Sequence, residues 1–164
     1  MEAKNRIHPR LKDWDYSHNG AYFVTVCVDK RRPILSTIVG RGLAPAIAEL
    51  NLWGKTVEAE LLNIENRFPN IKIDKYVIMP NHVHAILILE SEVAGASPRP
   101  TVSDAICAWK SLSTRGCRQK GFTGQKLWQT SFYDHITRDE NDYLTRWNYI
   151  DTKPARWAED EYYL

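Results

Sequence analysis

The sequence feature that most constrains the fold is a pair of apolar segments separated by a Pro-Asn dipeptide. Residues 71–79 and 82–89 are rich in β-branched residues, and Pro80 and Asn81 interrupt them. β-branched residues favour strands, whereas Pro followed by a polar residue favours a turn. Two strands joined by so short a connection are expected to pair antiparallel. The sequence therefore predicts an antiparallel sheet that contains this hairpin.

The second of these strands carries His82 and His84, separated by one residue. Successive side chains of a strand point to opposite faces, so both imidazoles are predicted to project from the same face. The adjacent turn predicts that the pair lies at the mouth of the strand, where solvent or a substrate can reach it. Neutral imidazole is a common metal ligand, and the pattern indicates a metal site. The alternative is two histidines that are satisfied by water or by neighbouring groups.

Length and composition predict one globular domain. The chain has 164 residues, of which 43% are hydrophobic and 26% are charged. We interpret residues 1–164 as a single domain, with an irregular N-terminal arm at 1–19 and a flexible loop at 91–104. No apolar run approaches the roughly 20 residues of a membrane span, and residues 1–15 do not resemble a signal peptide. The expected location is therefore cytoplasmic.

Further elements follow from the residue pattern. Residues 21–28 have the composition of a buried strand. Apolar residues between positions 47 and 64 recur at spacings of three and four, which predicts one long amphipathic helix that is weakened by Gly54. A short strand is expected at 126–129.

Two more helices are predicted from their caps. Ser103 or Asp104 is expected to cap the first of them. The last helix is expected to open at Asp139 or Glu140, because carboxylates favour a helix N-terminus, and to be stopped by Pro154.

The segment 105–133 is basic and contains neither Asp nor Glu. Its rings Trp109, Phe122, Trp128 and Phe132 are interleaved with cations. Proteins that bind single-stranded nucleic acid combine these two features: the cations contact the phosphate backbone, and the aromatic rings stack on the bases. The alternative is that the rings belong to the core and the cations are solvated. The predicted DNA-binding residues of this segment are Lys110, Arg115, Arg118, Lys120 and Lys126.

One tyrosine of the last predicted helix lies in a polar row. Helical spacing places Tyr149 between Arg146 and Lys153, one turn away on either side. Cations at that distance favour a phenolate and can also hold a phosphate. Tyr149 is therefore a candidate nucleophile, and the alternative is a packing residue with a solvated hydroxyl.

Taken together, these segments resemble the single-tyrosine HUH nucleases, and within them the REP-associated tyrosine transposases and their insertion-sequence relatives. The resemblance covers nearly the whole chain. It rests on GAYFVTVC at 20–27, YVIMPNHVH at 76–84, WQTSFYDHITRDE at 128–140 and the Tyr-Ile pair at 149–150. The string MPNHVH is the most specific of these. The resemblance implies an α+β fold with a central antiparallel β-sheet and packed helices, the ferredoxin-like or RRM-like HUH nuclease fold.

The resemblance also implies a chemistry. A divalent metal, Mg²⁺ or Mn²⁺, is expected on His82 and His84, with Tyr149 as the catalytic nucleophile. The implied activity is that of a metal-dependent single-stranded DNA endonuclease and strand transferase that forms a 5′-phosphotyrosine intermediate. Substrates of the family are hairpin-forming repeats, so the implied process is DNA transposition. The expected partner is single-stranded or hairpin DNA, bound by a monomer or a homodimer.

One position departs from the family pattern. Relatives carry Asn or Gln one turn after the tyrosine as the third metal ligand, whereas this chain has Lys153, a cation without an acceptor. The third ligand could be water or Asp151, Lys153 could replace part of the charge of the metal, or the enzyme is weakened. Arg146 and Lys153 are also predicted DNA contacts. His135 is expected to help structurally by orienting the active-site helix.

Two other functions are compatible with these residues. The first is a domesticated, cleavage-deficient protein that binds single-stranded or hairpin DNA, and Lys153 keeps this alternative open. The second is a structural protein in which His82 and His84 bind zinc without any nucleic acid. The basic segment 105–133 counts against the second alternative.

Overall fold

The computed structural model describes residues 20–40, 45–90 and 100–163. A four-stranded antiparallel sheet with the order β4-β5-β1-β6 forms the centre of the fold, and β2 pairs with β3 in a second, two-stranded sheet. The strands are β1 (Gly20–Cys27), β2 (Ser36–Val39), β3 (Ile47–Leu50), β4 (Ile71–Ile78), β5 (His82–Leu89) and β6 (Tyr133–Ile136). The helices are α1 (Leu52–Leu62), α2 (Ile64–Arg67), α3 (Val102–Gln119) and α4 (Glu140–Thr152), with 3-10 turns at Asp29–Arg31 and Pro154–Glu159. The predicted α+β fold with a central antiparallel sheet is confirmed.

The predicted hairpin is present. Strands β4 and β5 pair antiparallel, and β5 pairs antiparallel with β1 on its other side, so β5 is an inner strand of the sheet. The predicted opening of the last helix is also confirmed, since the side chain of Asp139 accepts a hydrogen bond from the backbone N–H of Asp142 at the start of α4. The predicted arm at 1–19 lies outside the described residues.

The long helix predicted from position 47 is wrong in its first turn. Residues 47–50 form β3, because Asn51 caps α1 by accepting hydrogen bonds from the N–H groups of Trp53 and Gly54. Gly54 was expected to weaken the helix. It is instead required there, since a Cβ at this position would lie 2.1 Å from the carbonyl oxygen of Leu35. The apolar residues that recur at spacings of three and four therefore belong to three elements, β3, α1 and α2, and not to one helix.

Two other boundaries differ from the predictions. The cap of α3 is Thr101, which forms a capping box with Asp104, so the helix begins earlier than predicted. The predicted loop 91–104 is correspondingly too long at its C-terminal end, and its residues 91–99 lie outside the described part. The expected strand at 126–129 is reduced to a single bridge between Trp128 and Val28, whereas β6 follows at Tyr133–Ile136 and pairs with β1.

The central sheet has two differently covered faces. On one face, alternate residues of β1 and β5 pack against α1 and α3 and form the main apolar core, which includes Trp109 and Trp128. On the other face, Phe23 and Ile86 pack against Ile150 of α4 in a much smaller cluster. Within the described ranges, no helix combines the length and apolar character needed to cross a bilayer. The face under α4 carries the candidate site.

Candidate functional site

His82 and His84 lie on the same face of β5, as the strand period predicts, with their ring centroids 4.5 Å apart. Both residues are buried, with exposed fractions of 0% and 1%. The prediction of an accessible strand mouth is therefore wrong. Two rings of the C-terminal segment cover the pair, since the ring centroids of Tyr162 and Trp157 lie 4.4 and 6.0 Å from that of His82.

Hydrogen bonds fix the orientation of both imidazoles. Nδ1 of His82 lies 2.8 Å from Oδ1 of Asn81, and the amide nitrogen of Asn81 donates to the carbonyl oxygens of Arg31 and Tyr162. Because Asn81 Oδ1 can only accept, Nδ1 of His82 carries the proton and its Nε2 is an acceptor. Nδ1 of His84 lies 2.8 Å from the hydroxyl of Thr25. Each ring is thereby held by its Nδ1 atom, which leaves Nε2 for another partner.

The Nε2 atoms of His82 and His84 are buried and have no hydrogen-bond partner among the described residues. An unpaired buried polar atom costs about 1 to 3 kcal/mol. Burial lowers the pKa of His82 to about 3, partly opposed by the carboxylate of Asp160. Burial also holds the pKa of His84 well below its usual value, and the neighbouring His82, Lys153 and Arg146 lower it further. Both rings are therefore neutral near pH 7, which is the form that binds a metal.

Lys153 and Asp160 form a buried ion pair beside the histidines. Nζ of Lys153 lies 2.8 Å from Oδ2 of Asp160, and the same oxygen lies 3.8 Å from Nε2 of His82. Lys153 is only 6% exposed. The carboxylate of Asp160 draws the ammonium group inward, so Lys153 lines the cavity beside Tyr149 and does not lie on an exposed surface; its predicted contact with DNA stays a prediction. Sequence reasoning missed Asp160, which lies in a short, non-periodic acidic segment far from the histidines along the chain.

Tyr149 of α4 lies against His84. Their ring centroids are 5.2 Å apart, and the ring of Tyr149 also meets the edge of Phe23 at 5.8 Å. Nζ of Lys153 lies 4.2 Å from the centroid of the Tyr149 ring. Tyr149, Lys153 and Asp160 line one cavity of about 210 Å³. The structure thus brings the predicted nucleophile and the two predicted metal ligands together, on β5 and α4.

The N-terminal half of α4 is tied to the sheet through His135. Nε2 of His135 lies 2.8 and 3.0 Å from the two carboxylate oxygens of Asp142. Nε of Arg146 lies 3.6 Å from Asp142, and its guanidinium group lies over the ring of Phe23 at 5.2 Å. Because His135 is on β6 and Asp142 on α4, this contact supports the predicted role of His135 in orienting the helix.

Asp151 was one of the alternatives for the third metal ligand. Its Oδ1 accepts from Nζ of Lys75 on β4 at 2.8 Å, and both residues line a groove that also includes Tyr76. Lys75 thus holds this carboxylate at the outer strand of the sheet, and Asp151 is not brought to the histidines.

The basic segment 105–133 is divided between core and surface. Its rings Trp109, Phe122, Trp128 and Phe132 are buried, so the interpretation of these rings as stacking platforms for bases is wrong. The predicted DNA contacts Arg115, Arg118, Lys120 and Lys126 are exposed. Lys110 is half-buried and donates to the carbonyl oxygens of Gln129 and Thr130. The surface of this segment therefore carries the predicted cations, but the predicted aromatic rings are not exposed on it.

The histidine pair fits a divalent metal. Both imidazoles have Nδ1 hydrogen bonds of the kind that orient metal-bound histidines, and the Nε2 atom of each is buried without a hydrogen-bond partner among the described residues. As placed, no group of three or more His, Cys, Asp or Glu side chains within residues 20–40, 45–90 and 100–163 forms a closed metal cluster. A metal bound here would therefore find two protein ligands in the histidines and would need further ligands from elsewhere.

Comparisons with known proteins bear on the family and the fold of the chain. No family model matches the chain. An uncharacterized protein of Haemophilus influenzae is 30% identical over 170 residues, which span 94% of this chain and 91% of that protein. A solved structure of a REP-associated tyrosine transposase bound to a REP hairpin has a TM-score of 0.64 at 19% identity, over 93% of this chain and 77% of the other. A candidate transposase from Deinococcus radiodurans has a TM-score of 0.52 at 17% identity, over 88% and 96% of the two chains. The chain therefore belongs to one family with the Haemophilus influenzae protein, and it shares the fold of the two solved structures.

Proposed function

We propose a transposase activity for this chain, which belongs to the same family as the Haemophilus influenzae protein and has the fold of the REP-associated tyrosine transposase. The chain would cleave and rejoin single-stranded DNA at hairpin-forming repeats. The observation that carries the proposal is the position of Tyr149 against His84, within a buried site that offers two neutral imidazoles. A nucleophile, two metal ligands and nearby cations are the parts that phosphoryl transfer requires.

His82 and His84 would hold Mg²⁺ or Mn²⁺ through their Nε2 atoms. A bound ion would bind a non-bridging oxygen of the scissile phosphate and offset the negative charge that develops there. Asn81 and Thr25 would keep both rings in the required orientation through their contacts with Nδ1.

Tyr149 would carry out the covalent step. Its Oη would form a bond to phosphorus while the bond from phosphorus to the 3′ oxygen breaks. The phenol proton passes to water, and the departing 3′ oxygen takes up a proton and becomes a hydroxyl group. The product is a 5′-phosphotyrosine, and attack by another 3′-hydroxyl rejoins the strand and releases Tyr149.

Arg146 has a buried Nε without a hydrogen-bond partner in the described ranges, which suits a phosphate oxygen.

The DNA hairpin would bind along α3. Arg115 and Arg118 are exposed and line a groove with Ser111 and Thr114. Arginine and hydroxyl groups of this kind contact phosphates in a sequence-independent way, so they would position the duplex stem.

A second candidate function is DNA binding without cleavage. The observation that favours it is the burial of both histidines beneath Trp157 and Tyr162, together with Lys153 at the position of the ligand of the relatives. A DNA phosphate can reach the histidines only when this cover moves. If the cover stays closed, the exposed arginines of α3 still bind DNA.

The test is a covalent-adduct assay with the full chain. Labelled single-stranded oligonucleotides from the DNA that flanks its own gene are incubated with Mg²⁺ or Mn²⁺ and analysed on a denaturing gel. We expect a labelled protein band that requires metal and disappears in Tyr149→Phe and His82→Ala.

Tyr163→Phe, which alters an exposed tyrosine in the C-terminal segment, is the matched control and should retain the adduct. If the wild type retards the same DNA on a native gel but forms no adduct with either metal, binding without cleavage becomes the better description.

A further inference from the structure

A basic turn, residues 29–32, follows β1, and we infer that its cations Lys30 and Arg31 bind the single-stranded part of the DNA between a duplex stem on α3 and the histidine pair. The inference rests on the proposed function, because it concerns the path of the same substrate. The turn lies outside the basic segment 105–133, the tyrosine helix and the histidine strand. The alternative is a turn whose cations are only solvated.

The basic turn lies at the end of the sheet that carries His82. Cys27, the last residue of β1, is the partner of His82 in the sheet. The carbonyl oxygen of Arg31 accepts a hydrogen bond of 3.2 Å from the side-chain amide of Asn81, whose Oδ1 lies 2.8 Å from Nδ1 of His82. The guanidinium group of Arg31 lies 5.1 Å from the centroid of the Tyr162 ring, which covers His82. Arg31 is therefore a cation at the edge of the candidate site.

Hydrogen bonds also join the basic turn to the end of α3. Nη2 of Arg32 donates to the carbonyl oxygen of Lys126 at 2.6 Å. Nη2 of Arg118, which lines the groove on α3, donates to the carbonyl oxygen of Gln125 at 2.9 Å. Because Gln125 and Lys126 are adjacent in the chain, the cations of α3 and those of the turn lie along one stretch of surface. A DNA strand that leaves a stem on α3 can follow these cations to the histidines.

The cations of the basic turn have different surroundings. Arg32 is held by the protein, since its Nε donates to the carbonyl oxygen of Asp29 at 3.2 Å and its guanidinium group lies 4.0 Å from the carboxylate of the same residue. Lys30 is exposed and Arg31 is half-buried. Exposed cations contact phosphates without reading the bases, and this contact positions a strand. Lys30 and Arg31 are therefore the residues of the turn that suit a DNA backbone.

The backbone of the turn is unfavourable for these two residue types. Lys30 and Arg31 have φ angles of 56° and 52°, and within the described ranges no other residue except glycine has a positive φ. Glycine adopts this region without a steric penalty, whereas a Cβ atom makes it unfavourable. Strained backbone of this kind clusters at functional sites. Two long cations at positions that suit glycine therefore agree with a role for their charge outside folding.

DNA affinity in EDTA tests the inference independently of cleavage. One probe is a stem-loop oligonucleotide from the DNA that flanks the gene, and the other is the same stem-loop with about ten single-stranded nucleotides on each side. Fluorescence anisotropy measures both dissociation constants with the full chain. Lys30→Gln combined with Arg31→Gln should weaken binding of the extended probe about 10- to 30-fold at about 0.1 M salt and reduce the salt slope by about 1.4, because two phosphate contacts are lost. Binding of the bare stem-loop should be unchanged.

Two further double variants separate the position of the charges from net charge and from folding. Arg67→Gln combined with Lys72→Gln also removes one arginine and one lysine, both exposed, near the end of the sheet where Ile71 pairs with Leu89, far from His82. This control should bind both probes as the wild type does. Lys30→Gly combined with Arg31→Gly removes the charges and the strain together. It should resist urea at least as well as the wild type and bind the extended probe as weakly as the glutamine variant.

The two probes distinguish a failure of this inference from a failure of the proposed function. If the wild type binds both probes and the glutamine variant of the turn binds the extended probe as tightly, the turn is not a DNA contact and the proposed function survives. The same conclusion holds if the control at Arg67 and Lys72 loses as much affinity as the variant of the turn. If the wild type binds neither probe, the chain has no site for this DNA and both proposals fail.

Discussion

The two faces of β5 differ in whether their buried polar groups have hydrogen-bond partners. On one face, Val83, Ala85 and Leu87 enter the main core, where the buried indoles of Trp109 and Trp128 both donate hydrogen bonds. These bonds reach the carbonyl oxygen of Val57 and the hydroxyl of Ser113. Both buried indole N–H groups therefore have partners within the protein itself.

On the opposite face, the same strand buries two imidazoles whose Nε2 atoms lack hydrogen-bond partners among the described residues. A carboxylate and an ammonium group are buried beside them. Removing such groups from water costs free energy, which hydrogen bonds and ion pairs must offset. Most buried polar groups in native proteins have a hydrogen-bond partner, and an exception calls for a bound water, an ion, a ligand or local strain. The difference between the faces therefore assigns most of the apolar core to one face and agrees with the proposal that the other face is the site.

The largest expected effect concerns the core face. Trp109→Ala removes a fully buried indole and should lower the free energy of unfolding by about 3 to 5 kcal/mol. Urea unfolding followed by circular dichroism measures this loss. Leu144→Ala, at an exposed position of α4, should change the free energy of unfolding by less than about 0.5 kcal/mol. A loss below about 1 kcal/mol for Trp109→Ala would contradict the role assigned to this face.

The site face should respond to metal instead. At a free Mn²⁺ concentration of about 100 times the dissociation constant, the wild type should gain about 2.7 kcal/mol of stability over the same protein in EDTA. The double variant Thr25→Val with His84→Leu should gain far less, because one ligand is missing. In EDTA this variant should be at least as stable as the wild type, since both hydrogen-bonding partners are replaced by apolar groups.

Urea unfolding in Mn²⁺ and in EDTA measures both parts of this prediction. Tyr163→Phe is the control, and it should show the full metal response. If the double variant responds to Mn²⁺ as strongly as the wild type, the histidine face does not hold the metal.

The features that follow from local periodicity could be predicted from the sequence. The side-chain period of two in a strand places His82 and His84 on one face, and a carboxylate cap at Asp139 begins α4. Both depend on residues that are close along the chain. The α+β fold and the meeting of Tyr149 with the histidines were expected from the family resemblance, which rests on four segments spread over nearly the whole chain.

The features that depend on distant segments could not be predicted. Tyr162 and Trp157 bury the histidines from a segment without periodicity, and Asp160 is placed by its pairing with Lys153. The rings of segment 105–133 could not be placed for the same reason. Trp109 is buried, but the sequence around it would look the same if the ring were exposed. Long-range packing decides which side of a helix or loop is covered, and a single sequence does not contain that information directly.

The smallest expected effect lies at the edge of the site face, at the contact between His135 and Asp142. Burial alone raises the pKa of Asp142, but the hydrogen bonds from His135 and the backbone N–H of Arg138, with the nearby Arg146, hold it below its usual value. The ionised carboxylate therefore stabilises the fold above the unfolded pKa of about 3.9, and this contribution is lost as the pH falls through the lower folded pKa.

Asp142→Asn should accordingly lower the free energy of unfolding by about 1 to 2 kcal/mol at pH 7. The difference from the wild type should shrink below about pH 4, where the carboxylate of the unfolded chain is protonated. Urea unfolding at pH 7 and pH 3 measures the change, with Asp151→Asn, in an exposed ion pair, as a control expected to lose less than about 1 kcal/mol. An equal loss at both pH values would mean that Asp142 contributes through packing, and that the charge of the contact does not hold α4 over the histidines.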